Sequence, residues 1–250
     1  LEGEGTIYAS QIQGFNSLTK TGTGTWFMAG DQDFTAYNTD MSMAVNEGVL
    51  ALSDRNLNGG SGVVASSFTQ ADGASLGYVV TASETELAPA GASGALTVTG
   101  AANFNNGRII VIPLAGNYLA TTTYDSVLAA GSITNPWTEV VSTSAFLSPT
   151  LVEDGTNVYD LVLERLSFTT GAEGSNVGLG ADLDQLYEDA TGDLRTVLDD
   201  LILLSSDDAQ RALTEVGGGT HTAFQLMSFN GIGRYLGVLN NHMSGGSGFA

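Results

Sequence analysis

The stretch LTKTGTGTWFMAG, Leu18 to Gly30, followed by AVNEGVLALS, Ala44 to Ser53, decides how this chain is read. Apolar and aromatic residues cluster in short runs, and Gly22, Gly24, Asn46 and Gly48 stand between them. Glycine and asparagine tolerate the tight corners that longer side chains resist, so the pattern reads as strand, turn and strand of one repeating coil.

The same texture extends from Gly14 to about Phe168. Strand-like runs fall at Thr25 to Met28, Met41 to Leu52, Gly62 to Phe68, Leu76 to Thr81, Ala95 to Thr99, Arg108 to Ile112 and Val158 to Leu163. No helical period intervenes, which excludes the crossover helices of Rossmann or barrel folds and predicts an all-β region. A sandwich and a solenoid both give many short strands, but small residues and Asn at the corners favour stacked rungs.

Leu18, Lys20, Gly22, Gly24 and Trp26, with Gly48, Val49 and Leu50 some twenty residues on, resemble the strand repeat associated with bacterial autotransporters. A second stretch, from Leu114 to Phe168, resembles the autochaperone segment that ends autotransporter passengers. Gly116 and Tyr118 open a strand, Gly131 supplies a turn, Trp137 an aromatic anchor, Leu147 to Leu151 a Leu-x-Pro-x-Leu strand, and Val158 to Leu163 the closing strand. Glu153 and Asp154 depart from the Tyr-Asp pair more usual in that family.

The resemblance implies a right-handed parallel β-helix, all-β in class, followed by a C-terminal helical linker. Its parts would be passenger coils over 1–113, an autochaperone-like cap over 114–170 and a linker over 171–250 leading to an outer-membrane β-barrel outside this chain. The expected cap core is Tyr118, Trp137, Phe146, Leu151, Val158, Tyr159, Leu161 and Leu163.

Past Gly171 the period changes. Leu183, Leu186, Tyr187, Ala190, Leu194, Val197, Leu198, Leu201 and Ile202 recur at steps of three and four, one face of a helix or of two helices broken at Gly192. Ser205 or Ser206 caps a further helix with Asp207 and Asp208 in its first turn, and Gly217 to Gly219 stop it. A last helical stretch runs from Thr220 to about Asn240, and these helices together resemble the family's linker, most closely over Ser205 to Gln225.

Composition narrows the function. The 250 residues hold 33 Gly and only 14 % charged residues, with a net charge of −20. A nucleic-acid or anionic-membrane binder needs clustered Lys or Arg, so both partner classes are disfavoured. The absence of cysteine removes disulfides, thiolate metal sites and Cys nucleophiles, and suits a chain exported unfolded through an oxidising compartment. No apolar run reaches the roughly 20 residues of a membrane helix.

Candidate chemistry is thin. Gly73 to Gly77, GASLG, spells a hydrolase elbow, yet it lies among strands, and the histidines, His221 and His242, fall in the helical tail. Those histidines lack metal-ligand spacing. Asp182, Asp184, Glu188, Asp189 and Asp193 are out of register for a calcium loop and suit the acidic face of a helix. Gly231, Gly233 and Gly237 miss the dinucleotide fingerprint. Trp26, Phe27, Phe34 and Tyr37 read as stacked coil aromatics ahead of a glycan platform.

The expectation is a non-catalytic segment at the bacterial cell surface, without cofactor or metal, that nucleates and stabilises passenger folding. Its partner would be its own barrel. The alternative is an adhesin binding a host or glycan ligand through the coils.

Overall fold

The structure, a computed structural model, describes residues 1–8, 12, 15–29, 32–33, 41–53, 63–82, 95–172, 174 and 176–217. Its strands are β1 (Gly5–Tyr8), β2 (Ser17–Lys20), β3 (Thr25–Ala29), β4 (Gln32–Asp33), β5 (Ser42–Val45), β6 (Val49–Ser53), β7 (Val63–Ala65) and β8 (Ser67–Gln70). They continue with β9 (Ser75–Val80), β10 (Leu96–Asn103), β11 (Arg108–Pro113), β12 (Thr121–Thr134), β13 (Glu139–Ser142), β14 (Leu147–Glu153) and β15 (Val158–Arg165). A 3-10 turn, Phe168–Gly171, leads to α1 (Asn176–Asp189), α2 (Gly192–Ile202) and α3 (Ser206–Val216). The Thr220 to Asn240 stretch, with His221, Gly231, Gly233 and Gly237, lies outside the described residues, as do His242, Phe34 and Tyr37.

The chain visits two sheets in turn. The first has the order β1-β3-β6-β9-β11-β13 and is parallel throughout. The second runs β2-β5-β8-β10-β12-β15-β14, with β7 also beside β10. It is parallel as far as β12 and antiparallel from there on. Inward positions stack in register: Leu18, Met43, Phe68 and Ala102 in the second sheet, and Leu50, Leu76 and Ile109 in the first. Alternate residues of β2 and β5 are buried, as a strand with one core face requires.

This corrects the expected fold class. The architecture is mixed α/β, with one parallel sheet, one mixed sheet and three helices among the described residues; it is not an all-β right-handed β-helix, and the strands form no closed solenoid. Two physical reasons account for it. Asp154 to Asn157 join β14 to β15, too short a link for the crossover that parallel neighbours need, so the pair is a hairpin. The helices are packed elements as well: Leu183, Tyr187, Leu198, Ile202, Ala209 and Leu213 belong to the same hydrophobic cluster as Leu50, Tyr78 and Val127.

Candidate functional site: the closed end of the sheets

At the end where the second sheet turns antiparallel, β12 carries both patterns. Its later residues pair parallel with β10 and its earlier ones antiparallel with β15, and the register shifts between Tyr124 and Leu128. Ser126 takes the strain of that bulge at φ 52°, and its N–H donates to Asp160 Oδ1 at 2.7 Å.

The hairpin brings the expected cap residues together. Leu161 lies opposite both Leu151 and Tyr124, Leu163 opposite Thr122, Val158 opposite Ala129, and Tyr159 opposite Leu128. Tyr118, Phe146, Leu161 and Leu163 are buried, while Trp137, Leu151, Val158 and Tyr159 are half-buried. A file of rings Phe68, Phe104, Trp137 and Tyr159, with centroids 5.3, 5.3 and 5.0 Å apart, joins the parallel strands to the hairpin. The Tyr118 hydroxyl donates toward the carbonyls of Leu114 (2.8 Å) and Val80 (3.2 Å) and ties the segment before β12 to the first sheet.

The helices seal this end. Phe146, Phe168 and Tyr187 form a second ring file at 5.2 and 5.9 Å. A Cβ on Gly171 would stand 2.6 Å from the Phe146 ring, so the close approach of the 3-10 turn needs glycine. Buried Ser144 donates to Ile202 O at the end of α2 (2.5 Å) and accepts from Phe146 N (3.0 Å), and Ala145 N donates to Leu204 O (2.9 Å). Asp184 of α1 accepts from Phe168 N (2.9 Å) and from the Ser167 hydroxyl.

Tyr187 is the hub. The guanidinium carbons of Arg165 and Arg195 lie 4.0 and 3.8 Å from its ring centroid, so both cations pack on this ring. The Tyr187 hydroxyl donates to Asp199 Oδ1 (2.9 Å) and accepts from Arg195 Nη2 (2.7 Å). Arg195 also reaches Asp199 Oδ1 (3.1 Å), Tyr187 O (3.1 Å) and Asn117, and Arg165 reaches Glu188 Oε1 (2.9 Å). Burial, and then the Asp199 carboxylate that accepts its hydrogen bond, hold this phenol above its ordinary pKa.

At the far end lies the repeat motif. Leu18 stacks inward on Met43. Lys20 is fully buried, and its ammonium donates to the carbonyls of Thr21 (2.8 Å), Gly22 (2.5 Å) and Glu47 (3.2 Å). Gly22 N donates to Glu47 Oε2 (3.0 Å), Gly24 O accepts from Val49 N (3.2 Å), and Trp26 Nε1 donates to Glu2 O (3.2 Å). Gly48 has φ 67°, and a Cβ there would meet Gly22 O and Gly24 O at 2.5 Å, so the stacked corners require it.

Ser75 begins a buried strand, without the strand-to-helix turn of an elbow. Among the described residues no three His, Cys, Asp or Glu side chains are placed to hold a metal, and no helix is long and apolar enough to cross a membrane. The Tyr187 clasp escaped sequence reasoning because its members are spread from Asn117 to Asp199; its one local signal is Arg195 four residues before Asp199 on α2. No family model matches the chain, and no curated protein or solved structure matches it either.

Proposed function

We propose that residues 114–217 are the non-catalytic closing module of an exported bacterial surface protein of the autotransporter kind, and that this module forms first and templates the parallel strands before it. The observation that carries the reading is the change from parallel to antiparallel pairing at β12, sealed by the helices around Tyr187. A parallel strand buries its apolar surface only once neighbouring strands are in place, so the parallel array needs a stable first partner. The β14–β15 hairpin has only four linking residues and forms locally, whereas each parallel pairing must first close a longer loop. In this reading the surface location and the chain's own outer-membrane barrel as partner come from the sequence resemblance.

The two tryptophans allow a direct test, because Trp26 lies in β3 and Trp137 beside the hairpin. Refolding of the full chain is followed by fluorescence in Trp26→Phe, which reports on Trp137, and in Trp137→Phe, which reports on Trp26. Native emission from Trp137 ahead of Trp26 supports the reading. Native emission from Trp26 ahead of Trp137 overturns the templating role.

A further inference from the structure

We draw no further inference here: the strongest candidate, the file of small outward side chains on the second sheet formed by Ser17, Ser42 and Ser67 beside Thr19 and Thr69, is a stripe of small residues and nothing in the structure shows what covers it.

Discussion

Two buried polar side chains in the sheets differ in whether they are satisfied, and their substitutions should move stability in opposite directions. Lys20 holds three carbonyls around one ammonium. Lys20→Met keeps much of the volume but leaves those oxygens without their donor, and should cost about 2–4 kcal/mol, read as a lower urea midpoint at unchanged slope. An unmoved midpoint would mean that the corner carbonyls find other donors. Tyr78 is also fully buried, but its hydroxyl has no hydrogen-bond partner among the described residues. Tyr78→Phe removes an uncompensated polar group and should stabilise the protein by about 1 kcal/mol. The same phenol fixes a pH dependence. Burial pushes its pKa far above the ordinary 10.0, so the fold keeps its proton while the unfolded chain releases it. Stability from this group is complete below pH 10.0 and lost as pH rises beyond it. The loss approaches about 1.4 kcal/mol per pH unit. Tyr118, Tyr124 and Tyr187 act in the same direction. Alkaline unfolding should therefore be steep, and shallower in Tyr78→Phe; parallel curves for the two proteins would contradict the assignment.

At the scale of elements, periodicity gives type more readily than direction. The steps of three and four from Leu183 to Ile202, and the break at Gly192, are legible in the sequence, and Gly192 takes φ 60° where α1 gives way to α2. Within that pattern Leu183, Tyr187, Leu198, Leu201 and Ile202 are buried, but Leu186, Leu194 and Val197 are exposed, because the apolar stripe is wider than the surface it meets. Strand texture was equally clear at Leu147 to Leu151 and Val158 to Leu163. Their antiparallel sense was available only in the short Asp154-to-Asn157 link, since alternation of side chains is the same in either direction. The caps separate local from tertiary contributions. Ser205 accepts from Asp208 N at the start of α3, so Ser205→Ala should cost about 1 kcal/mol. Ser144→Ala removes a buried bridge between the strands and the end of α2, and should cost about 1–3 kcal/mol. Thermal melts of the two variants should rank Ser144→Ala below Ser205→Ala; the opposite ranking would show that the helices hold together mainly by themselves.

For the molecule as a whole, the question is whether the helices are a trailing linker or part of the folded body. A hydrophobic run read in sequence names a face without naming its partner, and the trailing linker is what the family resemblance implies. The structure places Phe146, Phe168, Tyr187, Ile202 and Leu213 in one cluster with the inward rows of both sheets. A continuous core of this kind predicts one cooperative transition. Urea unfolding followed by helical circular dichroism, by Trp137 emission and by Trp26 emission should give coincident midpoints, although Trp26 lies in β3 at the end remote from the helices. Tyr187→Ala then provides the decisive perturbation: it deletes the ring on which Arg165 and Arg195 pack, and should cost about 3–5 kcal/mol as a large core truncation. If the body is single, all three probes shift together by that amount. If only the helical signal moves while Trp26 keeps its original midpoint, the helices are an independent unit resting on the sheets, and the closed end must be assigned to the β14–β15 hairpin alone.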